Sequence, residues 1–253
     1  MLKNLQRFLF EIFLVNKILP FRQFVKWVST IPSNLPTLLK TKSLGILDEH
    51  FGTSFDVLWE GKKLHFDDLG FGVVREIYGH LCYIGKGQLK DATNILDLGG
   101  NGGAFTLFSL VEAPNAKIHA VEAQAEVMKI LQKNIKQNGY EERVTSECAV
   151  VGGFYDDWTQ SLLQINPDYP VFDIHHYMSE IDTLDFLKCD VEGGEFNLMK
   201  GDLSWTKKVK NMVLEYHPDK GDVKELENTL NSLGFDVRRE DHGCLGYFYC
   251  TKS

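Results

Sequence analysis

The sequence predicts an α/β fold in which a mostly parallel sheet carries helices on both faces. From Asn94 onwards, short apolar runs typical of buried strands alternate with amphipathic stretches typical of helices. Such alternation predicts parallel strands, because each helix returns the chain to the same end of the sheet. The last two apolar runs, 235–239 and 245–250, have no helix between them, so they predict an antiparallel terminal pair.

Composition and cysteine usage indicate a globular protein of a reducing compartment. The chain has 253 residues, of which 43% are hydrophobic and 25% charged, and it can bury a large core. Its five cysteines are odd in number and form no C-x-x-C pair, which argues against a disulfide framework and a zinc knuckle. The net charge of −8 argues against nucleic acid as a partner, because binding phosphates requires a basic surface.

The first 50 residues, here called the N-terminal arm (residues 1–50), differ from the rest in charge. Residues 1–47 contain seven Lys or Arg and one acid, a net charge of +6. The other residues include 20 basic and 34 acidic side chains, a net charge of −14. Large apolar residues recur in the arm at helical spacing, and Pro20, Pro32 and Pro36 divide it into two or three short helices.

Two interpretations of the arm stay open. No run in it approaches the roughly 18 uncharged residues that a membrane-spanning helix needs. Glu11 interrupts the apolar region and no small-residue cleavage site follows, which argues against a signal peptide. The arm then either packs on the main domain or on a second copy of the chain, or lies as a basic amphipathic helix on an anionic membrane. We therefore expect a cytoplasmic protein, with or without peripheral membrane contact.

The main domain is predicted to begin with a lead-in segment over residues 51–90. Alternating apolar residues from 55 to 66, with a turn at Gly61-Lys62, predict a hairpin. A helix is predicted over 73–84, followed by a glycine turn at 85–87.

The main domain, residues 51–253, then follows a regular strand and helix rhythm. The predicted strands after the lead-in are 94–98, 117–122, 144–150, 186–191 and 211–216, and the predicted helices are 104–111, 124–137 and 223–233. Residues 152–185 have no clear periodicity and are interpreted as an insertion near the mouth of the site.

The turn after the first of these strands predicts a ligand site. Asp97 is followed by glycines at 99, 100, 102 and 103, and then by a helix, so the backbone can approach a ligand closely. The dinucleotide pattern G-x-G-x-x-G is missing, because Phe105 stands where its third glycine would be. A carboxylate at Asp97 repels phosphate but suits a cationic amine or sulfonium, and S-adenosylmethionine carries both.

The next two strand ends extend this site, since ligands of open α/β sheets bind beyond the carboxyl ends of the strands. Glu122 ends the second strand and is placed to accept hydrogen bonds from both hydroxyls of a ribose. Cys148 and Ala149, at the end of the third strand, are expected to flank the adenine.

The fourth and fifth strand ends carry titratable side chains. Alternation along a strand would put Asp190 and Glu192 on one face, and likewise Glu215 and His217. If the two strands are neighbours, three carboxylates and an imidazole crowd one pocket floor, which is typical of acid–base chemistry or of a divalent metal. Glu195 is interpreted as a first-turn helix acid.

Four blocks of the chain resemble the signature of the FkbM family of S-adenosylmethionine-dependent methyltransferases. They are Asp97-Leu-Gly-Gly-Asn-Gly-Gly103, Val121-Glu122, Leu187-Lys-Cys-Asp-Val-Glu-Gly-Gly-Glu195 and Leu214-Glu-Tyr-His-Pro218. The resemblance runs from about Gly70 to Lys252 and leaves the N-terminal arm outside. The chain departs from the usual pattern at Gly100 and Gly194, where alanine is common in the family.

The resemblance implies a class I methyltransferase fold, which is Rossmann-like, and methyl transfer to a hydroxyl oxygen. The implied acceptor is a small molecule or glycan, such as a sugar or another natural product. The residues implied in cofactor binding are Asp97, Gly99, Asn101, Gly103 and Glu122.

For the chemistry, His217 is the expected general base, because an ordinary histidine pKa of about 6.5 leaves it largely neutral at pH 7. Glu215 or Asp190 would orient His217 or the acceptor. Alternatively, Asp190, Glu192 and Glu215 hold Mg²⁺ or another hard cation that lowers the pKa of the hydroxyl.

Two rival functions remain. One is a nicotinamide-dependent oxidoreductase, which the missing third glycine and Asp97 argue against. The other is a non-catalytic, cofactor-binding scaffold of the same fold.

Overall fold

A seven-stranded sheet forms the centre of the molecule in the computed structural model, which describes residues 2–41, 43–84, 89–154 and 156–252. In chain order the strands are β1 (Phe55–Trp59), β2 (Lys62–Phe66), β3 (Asn94–Leu98), β4 (Lys117–Glu122), β5 (Val144–Cys148), β6 (Leu184–Cys189), β7 (Val209–Tyr216), β8 (Asp236–Asp241) and β9 (Gly246–Thr251). The sheet has the order β5-β4-β3-β6-β7-β9-β8. Its neighbours are parallel except around β9, which is antiparallel to β7 and β8. The predicted sheet is confirmed.

Helices lie on both faces of this sheet and before it. In chain order they are α1 (Leu2–Ile18), α2 (Phe21–Ser29), α3 (Ile31–Thr41), α4 (Gly45–Phe51), α5 (Phe71–Val74), α6 (Ala104–Glu112), α7 (Ala125–Gln137), α8 (Asp157–Ile165), α9 (Ile174–Ser179), α10 (Glu195–Leu198) and α11 (Val223–Ser232). The predicted helices of the sheet region match α6, α7 and α11 to within a few residues.

The two faces of the sheet bury separate apolar clusters. Ile95 and Phe186 pack in one cluster with Phe108 of α6, whereas Leu96 and Leu187 pack in the other. Successive strand residues point to opposite faces, so both faces of β3 and β6 are covered. This double burial explains why these strands appear as continuous apolar runs in the sequence.

The N-terminal arm contains four helices and packs on the main domain. Val15, Trp27 and Leu47 are fully buried and belong to the same apolar cluster as α6. Pro20 separates α1 from α2 as predicted, but Pro36 lies inside α3 and does not end it. Within the described ranges, no helix combines the length and apolar character required to cross a bilayer.

The lead-in segment contains the predicted hairpin and a different helix. β1 and β2 pair antiparallel around Gly61, as expected. The predicted helix over 73–84 is instead α5 followed by a π-helical turn, Arg75–His80, which ends at Leu81 in a left-handed conformation. The predicted turn at 85–87 lies outside the described residues.

The segment 152–185 has more regular structure than its sequence suggests. It contains α8 and α9, and α8 begins with a capping box made by Asp156 and Thr159. β6 begins at Leu184, two residues before the predicted strand, and β5 ends at Cys148 rather than at Val150. Short helices of six to nine residues show too few turns for a periodic signal.

Candidate active site

The glycine turn between β3 and α6 brings three backbone segments into close contact. Gly99 has a φ of +77°, and a Cβ there would lie 1.7 Å from the carbonyl oxygen of Asp190. The N–H groups of Gly99 and Gly100 both donate to the carbonyl of Val121 at 2.9 Å. The turn is thereby tied to the ends of β4 and β6, and only glycine fits at position 99.

Asp97 is fully buried beneath this turn and faces other side chains rather than a cavity. Its Oδ2 accepts a hydrogen bond from Thr106 at 2.6 Å, and its Oδ1 lies 3.3 Å from Nζ of Lys188. Lys188 also donates to the carbonyl of Gly99 at 2.5 Å. Burial alone would lower the pKa of Lys188, but the charges of Asp97, Asp190 and Glu215 raise it, so the ammonium form persists. The expected direct contact of Asp97 with a cationic ligand therefore gives way to a buried ion pair that supports the turn.

A cavity of about 150 Å³ opens beside the turn, at the carboxyl ends of the parallel strands. The predicted cofactor residues that line it are Gly99, Asn101, Glu122 and Ala149. Trp158 and Thr159 of α8 also line it, and the sequence analysis missed them because that segment has no clear periodicity.

Gly103 and Cys148 do not line this cavity. Gly103 precedes α6 with a φ of +86° and packs against Leu131 of α7. The thiol of Cys148 lies 3.5 Å from the hydroxyl of Tyr169 and 3.6 Å from the carbonyl of Ala123. Cys148 thus lies behind the cavity wall, next to Ala123, whereas Gly103 lies against α7.

Glu122 retains free hydrogen-bonding capacity toward the cavity. Its Oε1 accepts the N–H of Gln124 at 2.8 Å, and its Oε2 accepts the N–H of Asn101 at 2.9 Å. Each carboxylate oxygen has two lone pairs, so each can accept one further bond. The two backbone donors hold the carboxylate in one orientation while leaving it able to accept two hydroxyls.

The predicted catalytic residues meet because β6 and β7 are neighbouring parallel strands. Asp190 follows β6, Glu215 lies in β7 and His217 follows it, so all three reach the same sheet edge. Nε2 of His217 lies 3.2 Å from Glu192 and 3.9 Å from Glu215. Asp190 and Glu192 also line the cavity.

Glu192 does not reach His217 from a strand face, contrary to the expectation from strand alternation. β6 ends at Cys189, and Glu192 has a φ of +54°, which is not extended backbone. Its side chain is 79% exposed, in contrast to the buried Glu215. Glu192 thus approaches His217 from the solvent side of a turn rather than from a strand face.

Tyr83 connects two of the carboxylates and was not predicted. Its hydroxyl lies 2.8 Å from Oδ2 of Asp190 and 2.9 Å from Oε2 of Glu215. A phenol has one proton to donate, so both contacts are hydrogen bonds only when one carboxyl group is protonated. Burial, together with the charges of Asp190 and Glu215, raises the pKa of Tyr83 and keeps its hydroxyl protonated. No local motif marks a tyrosine more than 100 positions from its partners.

Glu215 holds a proton at a higher pH than an ordinary glutamate does. Burial and the charge of Asp190 raise its pKa to about 7, against the opposing effects of Tyr83, Lys188 and His217. Near neutral pH, Glu215 therefore exists in both protonation states.

His217 is protonated at pH 7, contrary to the expectation of a neutral imidazole. Burial alone would lower its pKa, but the hydrogen bond to Glu195 and the charges of Glu195, Glu192 and Asp190 raise it to about 9. Glu195 is fully buried and accepts both the N–H and the Nδ1–H of His217, at 3.0 and 3.2 Å. Glu195 is therefore a partner of His217 and more than a first-turn helix acid.

A metal ion at this cluster would compete with the proton on His217. Asp190, Glu192 and His217 each offer a ligand atom, and these atoms lie within 4.8 Å of one another. An imidazolium has no lone pair for a metal, since both of its nitrogens carry protons. A cation at this position would have to displace a proton that two carboxylates stabilise.

Comparisons with known proteins agree with this fold and with the earlier resemblance. A family model described as the methyltransferase FkbM domain matches residues 97–237. The 31-O-demethyl-FK506 methyltransferase FkbM of Streptomyces tacrolimicus is 26% identical over 214 residues, a match that covers 66% of this chain and 82% of that protein. Methyltransferase 1 of Beauveria bassiana (strain ARSEF 2860) is 25% identical over 203 residues and covers 66% of this chain and 81% of its own length.

A solved structure shows the same fold. Fibrillarin of Aeropyrum pernix, crystallised with natively bound S-adenosyl-L-methionine, aligns with a TM-score of 0.50 at 13% identity. The alignment covers 78% of this chain and 82% of that chain. At this identity the likeness concerns the fold alone, which is the class I methyltransferase fold.

Proposed function

Because the chain belongs to the FkbM methyltransferase family, we propose that it methylates a hydroxyl oxygen of a small molecule or glycan with S-adenosylmethionine. The observation that carries this proposal is the acid–base cluster beside the cavity, in which Tyr83 bridges Asp190 and Glu215. The name of the Streptomyces tacrolimicus relative describes an O-demethyl substrate, which favours oxygen as the acceptor atom.

The lining of the cavity supports S-adenosylmethionine as the cofactor. Glu122 accepts the ribose hydroxyls through its remaining lone pairs, and Gly99 lines the same cavity. Asn101 and Ala149 complete this part of the lining. When bound, S-adenosylmethionine supplies an electrophilic methyl group.

The cluster supplies a place for the proton that the acceptor hydroxyl loses, since an alcohol is a poor nucleophile until it loses that proton. Asp190 lines the cavity and accepts this proton. The Tyr83 hydroxyl connects Asp190 with Glu215, so the two carboxyl groups share the proton. His217 is already protonated, and its positive charge offsets the negative charge that remains on the carboxylates. His217 is thus a positioning residue rather than the base.

The cofactor and the reaction can be tested separately. In thermal-shift measurements, S-adenosylhomocysteine should raise the melting temperature of the protein and NADH should not. Adding Mg²⁺ or EDTA should not alter the shift that S-adenosylhomocysteine causes. Transfer of a labelled methyl group is then measured with hydroxylated sugars and macrocycles. Stabilisation by NADH alone would contradict the methyltransferase assignment. Binding of S-adenosylhomocysteine without transfer to any acceptor would match the non-catalytic scaffold instead.

Tyr83→Phe tests the shared proton. We expect turnover to fall at least tenfold and the acid limb of the pH–rate profile to shift, because the link between Asp190 and Glu215 is lost. Affinity for S-adenosylhomocysteine should stay unchanged, since Tyr83 does not line the cofactor cavity. Tyr249→Phe is the matched control, because it removes the hydroxyl of a buried tyrosine that donates to the carbonyl of Cys82, outside the carboxylate cluster. Equal turnover in both variants would exclude Tyr83 from the reaction.

A further inference from the structure

Three consecutive helices of the N-terminal arm each expose two large apolar side chains that are four residues apart. The pairs are Leu9 and Phe13 in α1, Phe21 and Val25 in α2, and Leu35 and Leu39 in α3, and together they are called the outer face. Side chains four residues apart lie on one side of a helix, so each pair forms a continuous patch. Phe21 is 77% exposed and Leu39 is 71% exposed.

The outer face is exposed although the helices that carry it are well packed on the main domain. The opposite sides of α1 and α2 are buried against the main domain through Val15, Ile18 and Trp27, and α3 buries Leu38 in the same apolar cluster. The arm is also held by charge, because Glu11 lies 2.7 Å from Nη1 of Arg75. The helices therefore bury apolar side chains on their inner side and also expose apolar side chains on their outer side.

Basic residues accompany the outer face. Lys17 lies with its Nζ 4.6 Å from the ring centre of Phe13, Arg22 follows Phe21 directly, and Lys40 follows Leu39. Residues 1–47 have one acid, Glu11, and it is engaged by Arg75 and His80. The net charge of +6 in this segment is thus not neutralised by its own acids.

The charge distinguishes between two occupants. A second copy that docked face to face would bring +6 against +6, since a twofold interface places the same patch on both sides. An anionic bilayer attracts the arm and repels the remaining chain, which carries −14. Large apolar side chains rimmed by Lys and Arg are typical of helices that lie in the plane of the lipid headgroups.

We propose that the outer face docks the protein on the surface of an anionic lipid bilayer, with α1 to α3 lying on the membrane rather than crossing it. This inference is independent of methyl transfer, because none of its residues belongs to the candidate active site.

Vesicle flotation of the full chain tests the proposal. Vesicles of phosphatidylcholine mixed with phosphatidylglycerol should carry the protein, and vesicles of phosphatidylcholine alone should carry at least tenfold less. Phe21→Ser with Leu39→Ser should lower binding at least tenfold. Ile165→Ser is the control, because Ile165 is a 79% exposed apolar residue outside the arm. All substitutions are on exposed side chains, and unchanged melting temperatures verify that the variants fold.

A charge variant separates electrostatic from apolar docking. Each basic residue near an anionic surface is worth roughly a fivefold change in partition. Replacing Lys17, Arg22 and Lys40 by Gln should therefore reduce binding at least tenfold and make it less sensitive to salt. The matched control replaces three exposed lysines of the main domain by Gln: Lys63, Lys129 and Lys207.

Three results would overturn the proposal. The first is equal flotation of the wild-type chain with neutral and anionic vesicles. The second is an equal loss of vesicle binding in the control variants. The third is a dimer in sedimentation velocity that Phe21→Ser dissociates, together with no flotation, because a second copy would then cover the outer face.

Discussion

At the scale of single residues, Glu195 controls the charge of His217. Glu195 is fully buried and contacts both the backbone N–H and the ring of His217. Glu192 also contacts the ring, but its side chain is 79% exposed and solvent screens its charge. The two glutamates therefore differ in effect although their distances to the imidazole are the same, 3.2 Å.

Glu195→Gln should lower the pKa of His217 from about 9 toward or below its ordinary value, because the buried charge that opposes desolvation is lost. NMR titration of the imidazole measures this shift. Glu192→Gln is the isosteric control, and we expect a clearly smaller shift in it. A shift of equal size in both variants would contradict the dominance of Glu195.

At the scale of elements, the β3–α6 turn depends on one close approach. Gly99 and Gly139 have nearly the same φ, +77° and +75°. A Cβ at Gly99 would meet the carbonyl of Asp190, whereas a Cβ at Gly139 would meet nothing within 4 Å. A substitution at Gly139 therefore measures backbone strain alone, whereas one at Gly99 adds steric overlap to that strain.

Gly139→Ala should cost roughly 1–2 kcal/mol of unfolding free energy, the price of a left-handed alanine. Gly99→Ala should cost at least about twice that and abolish binding of S-adenosylhomocysteine, because β6 must move away from the turn. Urea unfolding and isothermal titration measure the two effects. Similar losses in both variants would mean that the turn relaxes around the added methyl group.

A second element-scale feature is the joint between the arm and the main domain. Asp48 accepts from Nε1 of Trp27 at 3.0 Å and from Nη2 of Arg75 at 2.9 Å. Arg75 also contacts Glu11, so one cation connects α1, α4 and the π-helical turn. Burial raises the pKa of Asp48 despite the charge of Arg75.

Asp48→Ala should reduce the free energy of unfolding by about 3 kcal/mol, because it leaves Arg75 half-paired in a buried site. Lys129→Ala is the control, since the Lys129–Glu126 pair is exposed and should contribute no more than about 0.5 kcal/mol. Urea denaturation of both variants provides the measurement. If Asp48→Ala lowered the free energy of unfolding no more than Lys129→Ala does, the contacts of Asp48 would not stabilise the fold.

At the scale of the whole molecule, the raised pKa values predict how stability depends on pH. His217 has a pKa of about 9 when folded and about 6.5 otherwise, so its contribution is complete below pH 6.5 and is lost as pH rises through 9. Glu215 acts in the same direction, since its pKa is raised from 4.5 to about 7. Both groups therefore stabilise the folded state at lower pH. The contribution of Glu215 is lost as pH rises from 4.5 to about 7, and that of His217 as pH rises from 6.5 to about 9.

The free energy of unfolding should fall between pH 6.5 and pH 9, by about 3 kcal/mol from His217 alone. Urea midpoints across this range measure the slope. In Glu195→Gln the His217 contribution should vanish, which separates it from other groups that titrate near pH 9. A slope that persists unchanged in that variant would exclude His217 as its source.

Much of the fold was predictable from local signals. The strands and helices of the sheet region follow from apolar periodicity, and glycine and proline mark their ends. The segment 152–185 was not predictable, because its helices are short and their caps depend on single residues such as Asp156 and Thr159. The π-helical turn at 75–80 also has no local sequence signal of its own.

The α/β class, the family blocks and the strand ends at which polar residues gather follow from the amino-acid order, because these features depend on neighbours in the chain. Which groups meet at those strand ends, and what charge they carry, depends on the three-dimensional fold. Lys188 makes Asp97 part of a buried ion pair, and Glu195 keeps His217 protonated. Tyr83 reaches Asp190 and Glu215 from more than 100 positions away in the chain. Protonation depends on burial and on charges in space, and neither quantity can be read from spacing along the chain.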